Sequence, residues 1–340
     1  MNRSLVALAL ITLAITFAGP SPAQAKDLQI YFIDVEGGQS TLLVSPSGQS
    51  LLVDTGWPGN NDRDANRIAE AVKLAGLRQI DYVLITHYHT DHVGGVPQLL
   101  KQVKVGEFID HGPNLENDEM APEGYAAYLQ SMGSIKHVVA KPGDRIPVSG
   151  VQVEVLTAAG SHIKQAVTGA GQANPNCTSE PKWPADHTEN AASMGILVTY
   201  GDFRFVDLGD LTKDQEIGLV CPKNLIGNAD LFLVSHHGMS MSNTKSLVEG
   251  LHPRVAIMEN GAKKGDSPEA WQIVHDSPGL QDLWQLHYTA SSGPEHNVAK
   301  DQIANLDGEP DGHSIKVVAQ ANGNFVVQNS RNNNERAYRK

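Results

Sequence analysis

Three histidines and one aspartate lie within six consecutive positions of this 340-residue chain. The string His87-Tyr88-His89-Thr90-Asp91-His92 directly follows the apolar run at residues 82–85 and is closed by two glycines. A turn at the end of a strand can present several side chains to one point. Imidazole nitrogens and carboxylate oxygens are donors that zinc and similar divalent ions favour. The string therefore predicts a metal site at the end of a buried strand.

Five further short motifs lie on either side of this string. They read F-I-D-V-E-G-G-Q-S at 32–40, L-L-V-D-T-G at 51–56, N-A-A-S at 190–193, L-G-D at 208–210 and S-H-H-G at 235–238. In this order they resemble the metallo-β-lactamase superfamily, and in particular its branch related to the competence protein ComEC. The resemblance extends over residues 28 to 260, and the order of the motifs is more specific than any one of them.

The resemblance implies an α/β fold of the metallo-β-lactamase type, an αββα four-layer sandwich. The apolar patterns agree, because strands in hairpins and then strands interleaved with helices occur twice along the chain. We expect one domain over residues 26–340. Residues 157–192 are rich in Gly, Ala, Asn, Pro and Thr without a clear period. They predict a long polar loop near the active-site mouth, and a plain surface insertion is the alternative.

The superfamily arrangement that the resemblance implies contains two divalent metal ions, which we expect to be Zn²⁺, with Mn²⁺ as the alternative. Carried over residue by residue, His87 and His89 would bind the first ion, and Asp91 and His92 the second. Asp210, after an apolar strand, would bridge both ions.

The S-H-H-G motif supplies the last ligand. Because adjacent side chains on a strand point to opposite faces, we expect one histidine to bind metal while the other faces substrate or core. By resemblance to exported phosphodiesterases of this branch, His237 is the expected ligand to the second ion and His236 a group near the leaving oxygen. The reverse assignment stays open.

One position departs from the family pattern. Most members give the first ion a third histidine, whereas this chain has Asn190 at the corresponding place. The first ion would then have only His87, His89, Asp210 and water, and would bind weakly. His187, three residues earlier, is an alternative ligand if its loop folds inward.

The implied chemistry is hydrolysis. A water bridging two ions has its pKa lowered towards neutrality and becomes the nucleophile. Asp91 would orient this water or accept its proton, and His236 would protonate the departing oxygen. Asp34 and Asp54 are expected to position the metal-binding loops rather than to bind metal.

The first 25 residues indicate a secretory signal peptide. Arg3 precedes an apolar run at 5–17, and Ala23-Gln24-Ala25 gives a cleavage signal before Lys26. The run is shorter than the roughly 20 residues that span a bilayer. We therefore expect cleavage after Ala25, a secreted or periplasmic protein, and no membrane span in the mature chain.

Charge and cysteine content restrict the partners. The formal net charge is −12 and no block of Lys and Arg stands out, so we expect no extended binding to duplex nucleic acid. A small-molecule or phosphodiester substrate is expected, and the sequence does not predict an oligomeric state. The two cysteines, Cys177 and Cys221, predict one disulfide in an oxidising compartment. Free thiols or a cysteine metal ligand are the alternatives.

These features favour an exported dimetal phosphodiesterase that acts on nucleotides, nucleic-acid ends or a phosphorylated surface group. A carboxylate at position 210, where many true β-lactamases have a thiolate, supports this choice. A β-lactamase- or lactonase-like hydrolase of a cyclic amide or ester is the alternative, and a metal-holding sensor without turnover is a third class. Trp57, Trp183 and Tyr88 would stack a base or cage a quaternary ammonium if they line the pocket.

Overall fold

The computed structural model describes residues 27–116, 122–308 and 312–340, without the side chains of residues 122 and 123. The predicted signal peptide lies outside these residues. The strands are β1 (Leu28–Phe32), β2 (Thr41–Val44), β3 (Ser50–Val53), β4 (Ile80–Leu84), β5 (Val105–Asp110), β6 (Lys136–Val139), β7 (Arg145–Ile146), β8 (Gln152–Val155), β9 (Thr157–Ala158), β10 (Ser161–His162), β11 (Ile196–Tyr200), β12 (Phe203–Asp207), β13 (Leu231–Leu233), β14 (Val255–Met258), β15 (Asp282–His287), β16 (Ile303–Asn305), β17 (Ile315–Ala319), β18 (Phe325–Asn329) and β19 (Glu335–Tyr338).

The helices are α1 (Arg63–Leu74), α2 (Thr90–Val93), α3 (Val96–Leu99), α4 (Pro122–Met132), α5 (Lys213–Val220), α6 (Lys245–Leu251) and α7 (Pro268–His275). Helix α1 has its apolar residues on one side. In this helix Ala65, Ile68, Ala71 and Val72 are buried at spacings of three and four residues.

Two large sheets carry the fold within the described residues. One has nine strands in the order β19-β18-β17-β1-β2-β3-β4-β5-β6, and the other has eight in the order β16-β15-β14-β13-β12-β11-β8-β7. The short strands β9 and β10 pair only with each other. The second sheet is parallel from β12 to β16, and the first is parallel from β3 to β6.

Alternation along the strands explains the layers. In β1, Ile30 and Phe32 point to a core shared with Phe205 and Leu231 of the other sheet, whereas Tyr31 points to a second core under α1. A third core lies between the eight-stranded sheet and helices α5, α6 and α7. Strands that are apolar on both faces fit only between two covering layers. The αββα four-layer sandwich is therefore confirmed.

The metal-binding motifs lie where strands end. The histidine string follows β4, Asp54 follows β3, Asp210 follows β12 and His236-His237 follows β13. Parallel neighbours bring their carboxyl ends to the same edge, and the two sheets bring these edges together. Residues separated by more than a hundred positions thus meet at one end of the sandwich.

The segment at 157–192 is more ordered than the sequence analysis expected. It contains the β9–β10 hairpin, and Ala173 bridges to Lys223. The side chain of Asn174 donates to the carbonyl oxygens of Val220 and Ser246. Cys177 forms a disulfide with Cys221, as predicted. These contacts tie the segment to α5 and α6.

Strand β15 lies inside the eight-stranded sheet between β14 and β16. Within the described part of the chain, no helix combines the length and the apolar character that a bilayer crossing requires.

The disulfide closes a sequence separation of 44 residues. A cross-link over such a loop restricts the unfolded chain by about 4 kcal/mol in the chain-entropy model. We predict that the double variant Cys177→Ser/Cys221→Ser has a free energy of unfolding about 2–4 kcal/mol lower than the wild type, measured by urea denaturation. Reduced wild-type protein should match the variant. Equal midpoints for oxidised wild type and variant would contradict the prediction.

Candidate metal centre

Four donor atoms converge at the shared edge of the two sheets. The Nε2 atom of His92 lies 3.3 Å from Asp91 Oδ2 and 3.2 Å from Asp210 Oδ2. The Nε2 atom of His237 lies 3.2 Å from Asp91 Oδ2, 3.4 Å from Asp210 Oδ1 and 3.3 Å from His92 Nε2. All four side chains are buried. They are the four residues that the sequence analysis assigned to the second ion.

These distances fit a shared metal ion. Bonds of about 2.0–2.1 Å directed tetrahedrally place the donor atoms about 3.3 Å apart, which matches the spacing found here. The Oδ1 atom of Asp210 is buried and has no hydrogen-bond partner among the described residues. A buried carboxylate oxygen without a partner is costly unless a cation satisfies it. The donor set and its spacing therefore suit a divalent ion.

The imidazoles share one orientation, with Nδ1 held elsewhere and Nε2 directed to Asp210. The Nδ1 atom of His92 lies 2.7 Å from Asp54 Oδ2, and that of His237 lies 3.1 Å from the carbonyl oxygen of Glu259. Both partners accept hydrogen bonds, which favours the tautomer that leaves Nε2 free to bind metal.

His236 and His237 both face Asp210, contrary to the prediction from strand alternation. Their φ angles are both 54°, in the left-handed region, and they lie in a short turn after β13 rather than on the strand. As a result His236 Nε2 lies 3.3 Å from Asp210 Oδ2. The expectation that the two side chains point to opposite faces was wrong, because both residues lie in a left-handed turn, where the alternation of a strand does not apply. Such a backbone costs about 1–2 kcal/mol per residue and is typical of functional sites.

The residues expected at the first ion are brought less closely together. The Nε2 atom of His87 is buried without a hydrogen bond and lies 3.9 Å from Asp210 Oδ2. His89 is partly exposed, and its Nε2 lies 3.0 Å from the carboxylate of Glu116. The sequence analysis did not identify Glu116, which precedes the undescribed residues 117–121. The binding of metal by His87 and His89 stays a prediction.

Asn190 is buried at the start of a short 3₁₀ turn, and its Oδ1 has no hydrogen-bond partner among the described residues. Ser193, at the end of the same turn, places its Oγ 3.4 Å from His87 Nδ1. The turn thus reaches the first-ion side of the centre. His187 is exposed and is not the substitute ligand that the sequence left open.

Asp54 contacts the residue before the histidine string and the last histidine of the string. It accepts hydrogen bonds from the backbone N–H and the hydroxyl of Thr86, at 2.8 and 2.6 Å, in addition to its contact with His92. Its φ of 60° directs the carboxylate inward. Asp34 has another partner set, because it pairs with Arg67 and with His287 at 2.9 and 2.7 Å. Asp54 therefore orients the metal site directly, and Asp34 fixes the neighbouring loop.

Glu189 was missed by the sequence analysis. Its buried carboxylate accepts hydrogen bonds from the backbone N–H groups of Tyr88 and Leu115 and lies 3.1 Å from His111 Nε2. Burial alone would raise the pKa of Glu189, but the hydrogen bond and charge of His111 and the two backbone N–H groups hold it below its ordinary value. Since Tyr88 lies between His87 and His89, this carboxylate fixes the histidine string.

The charges around the centre favour a cation. Burial opposes the ionised form of Asp210, yet the surrounding imidazoles hold the pKa of that carboxyl well below its usual range. Burial and the neighbouring histidines lower the pKa of His87 well below its ordinary value, which keeps the ring neutral. Although burial opposes it, the carboxylates of Asp210, Asp91 and Asp54 raise the pKa of His92 well above its ordinary value. A metal ion at this point would replace the proton on His92.

A cavity of about 760 Å³ opens beside the centre. Its lining includes His89, Asp91, Asp210, His236 and Lys264 next to apolar side chains. The ammonium of Lys264 pairs with the carboxylate of Asp91. Residues 157–192 are not among its lining residues, although Glu189, near the end of this segment, contacts the backbone of the histidine string.

Of the three aromatic residues considered for substrate binding, only Trp57 lines the cavity. Tyr88 is fully buried and donates its hydroxyl to the carbonyl oxygen of Gly112. Trp183 lies against Lys213, whose Nζ is 4.2 Å from the ring centroid, beside the disulfide. A cage built from all three rings is therefore not present.

Comparison with known proteins gives a family. The chain is 25% identical over 256 residues to ComE operon protein 3 of Bacillus subtilis (strain 168), a match that covers 71% of this chain and 29% of that protein. The chain thus spans less than a third of that relative. A hydroxyacylglutathione hydrolase from Stenotrophomonas maltophilia is 34% identical over 104 residues, covering 30% of this chain and 37% of the enzyme.

Among solved structures, the metallo-β-lactamase fold protein YhfI from Bacillus subtilis aligns with a TM-score of 0.41 and 14% identity, over 86% of this chain and 99% of that one. The family model described as the metallo-beta-lactamase superfamily matches residues 33–257. This range includes every residue assigned to the metal centre. The chain therefore belongs to the metallo-β-lactamase superfamily, a superfamily of metal-dependent hydrolases.

Proposed function

We propose that the chain is an exported dimetal hydrolase that cleaves phosphodiesters, with Zn²⁺ or Mn²⁺ as the metal. The observation that supports this proposal is the position of the Asp210 carboxylate. Four imidazole Nε2 atoms lie within 3.9 Å of its oxygens, those of His87, His92, His236 and His237. A buried carboxylate surrounded by four imidazoles can offer its two oxygens to two cations. Export rests on the N-terminal sequence pattern.

Phosphodiesters fit this centre for a reason of charge. The substrate has anionic oxygens next to the scissile bond, and two adjacent cations stabilise the negative charge that increases on those oxygens during attack. The protein contributes a carboxylate at position 210 rather than a thiolate, which suits hard, oxygen-rich ligands. The Lys264 ammonium adds a further positive charge at the cavity.

The residues of the chain have separate tasks in this proposal. The bound ions supply an activated water and charge stabilisation. Asp91, His92, Asp210 and His237 hold one ion, and His87, His89 and Asp210 hold the other. Asp91 also faces the cavity, where it would orient the attacking water. Asp54 keeps His92 in the tautomer that binds metal.

The role of proton donor, which the sequence predicted for His236, does not suit the environment of this ring. Burial lowers the pKa of this imidazole to about 4, so the ring is neutral near pH 7. A neutral ring is a poor source of the proton that the sequence analysis assigned to it. The Ser242 hydroxyl donates its proton to the carbonyl oxygen of Leu211, so the Nδ1–H of His236 donates to that hydroxyl, at 3.2 Å. The Nε2 atom of the neutral ring is then an acceptor that can receive a hydrogen bond from substrate. We therefore propose a substrate-positioning role for His236.

A cyclic ester or amide is the second candidate substrate. The apolar part of the cavity wall, with Trp57, Pro58 and Pro97, would accept the body of a lactone or lactam. The relatives do not choose between these chemistries, because one of them is named for the hydrolysis of hydroxyacylglutathione. The substrates must therefore be compared directly.

We predict that protein supplied with Zn²⁺ or Mn²⁺ hydrolyses bis-p-nitrophenyl phosphate and that a chelator abolishes this activity. Nitrocefin and a simple lactone should react at a kcat/KM at least about 100-fold lower, since they lack the anionic oxygens that two ions stabilise. Release of p-nitrophenol, followed at 405 nm, measures the first activity. Faster turnover of nitrocefin or lactone than of the phosphodiester would reverse the assignment. Loss of all three activities with metal retained would indicate a sensor.

We also predict that Asp54→Asn weakens metal binding about 10- to 100-fold, because the amide no longer fixes the His92 tautomer. Isothermal titration with Zn²⁺ in a competing chelator gives the affinity. Asp230→Asn is the matched control, since Asp230 is also buried but pairs with Arg254 at the start of β13. The control should lose stability and keep metal affinity. Equal metal affinity for Asp54→Asn and wild type would rule out the orienting role.

A further inference from the structure

Lys264 is a cationic residue at the metal centre that the motifs of the chain do not include. Its ammonium pairs with Asp91 and lies 5.1 Å from the centroid of the Trp57 ring. It belongs to the loop between β14 and α7, 173 positions from Asp91.

The backbone of this loop is held firmly. Gly37 and Gly261 approach so closely that a Cβ atom on Gly37 would lie 3.0 Å from the Gly261 nitrogen and from the Lys264 Cβ. The N–H of Gly261 donates to the carbonyl oxygen of Lys264, at 2.8 Å. The N–H of Asp266 donates to the carbonyl oxygen of His237, at 2.9 Å. The loop is thus hydrogen-bonded to His237, a proposed metal-binding residue. The backbone position of Lys264 is therefore fixed.

One oxygen of the Asp91 carboxylate cannot interact strongly with a metal ion and with the Lys264 ammonium at the same time. The Oδ2 atom that lies nearest Lys264 is also the oxygen that faces His92 and His237. When an ion occupies that point, it repels the ammonium and takes the larger share of the carboxylate charge. The flexible side chain, about 30% exposed, can then direct its ammonium into the cavity.

The rest of the cavity wall is mainly apolar. Trp57, Pro58, Pro97 and Ala127 are the apolar residues among those that line it. Apolar walls with a few convergent polar groups favour a ligand with an apolar body and one charged group. The Lys264 ammonium already lies over the ring of Trp57.

We propose that Lys264 binds an anionic oxygen of the substrate while Trp57 and the prolines bind a flat apolar arm. This inference rests on the proposed function and specifies its substrate class as phosphodiesters with one aromatic or otherwise apolar group. It excludes substrates with a quaternary ammonium, because Lys264 repels a second cation at Trp57. No substrate bond changes at Lys264, which positions the anion.

The experiment measures binding of phenylphosphonate, a stable anion with one apolar ring, to the metal-loaded full chain by isothermal titration. We expect Lys264→Gln to raise the Kd about 10- to 100-fold, as loss of a charge-assisted hydrogen bond predicts. Lys264→Arg should retain most of the affinity. The matched control is Lys263→Gln, because Lys263 is the exposed neighbour with the same charge and should leave the Kd unchanged. Metal content is measured for all variants.

Two further probes test the substrate class. Methylphosphonate lacks the ring and should bind more weakly than phenylphosphonate to wild type, but not to Trp57→Ala. Phosphocholine carries the cation and should bind more weakly than either. Tight binding of phosphocholine would contradict the exclusion of cationic substrates.

The outcomes separate this inference from the proposed function. Binding of phenylphosphonate that depends on Lys264, without hydrolysis of bis-p-nitrophenyl phosphate, would support the anion site and reject the phosphodiesterase. Hydrolysis with a Kd unchanged in Lys264→Gln would reject the anion site alone. Loss of metal from Lys264→Gln with recovery in Lys264→Arg would assign the lysine to the metal centre and overturn the proposal.

Discussion

The Asp210 carboxylate lies within 3.9 Å of four imidazole Nε2 atoms, two from each sheet of the sandwich. His87 and His92 belong to the end of β4 in the nine-stranded sheet, and His236 and His237 follow β13 in the eight-stranded sheet. A carboxylate buried in this way is stabilised only when its neighbours share the charge. The turns after β3 and β13, with their left-handed residues, and the hydrogen bonds from Thr86 after β4 to Asp54 hold that arrangement. The cavity and its chemistry depend on it.

A layer of buried residues around these imidazoles fixes their positions. Asp54 orients His92, the carbonyl of Glu259 orients His237, and Glu189 fixes the backbone between His87 and His89. Groups of this kind set the tautomer and direction of metal-binding rings and so determine metal affinity. The disulfide and the contacts of Asn174 hold the segment that leads to Glu189 and Asn190. The long polar segment therefore acts through its end, which reaches the centre, and not by covering the cavity.

The sequence allowed the fold class to be predicted, and four of the six residues that it assigned to metal, Asp91, His92, Asp210 and His237, lie together at strand ends. Metal binding by all six stays a prediction. The alternation rule failed at His236 and His237, since a left-handed turn is not visible in a strand pattern. Glu116, Glu189 and Lys264 were not found. Each lies in a segment without apolar periodicity and reaches the centre only through tertiary contacts over 27 to 173 positions. Short motifs report local geometry, whereas these residues are placed by the packing of two sheets.

We propose that the imidazoles of His87, His89, His92 and His237 and the carboxylates of Asp91 and Asp210 form a centre for two metal ions. A crystal structure of the zinc-loaded protein, with anomalous difference maps on both sides of the zinc absorption edge, tests it most directly. We predict two peaks joined by Asp210, one bound by Asp91, His92 and His237 and the other by His87 and His89. The second peak is expected to be the weaker, because Asn190 replaces a histidine. A single peak, or zinc bound away from Asp210, would contradict the account.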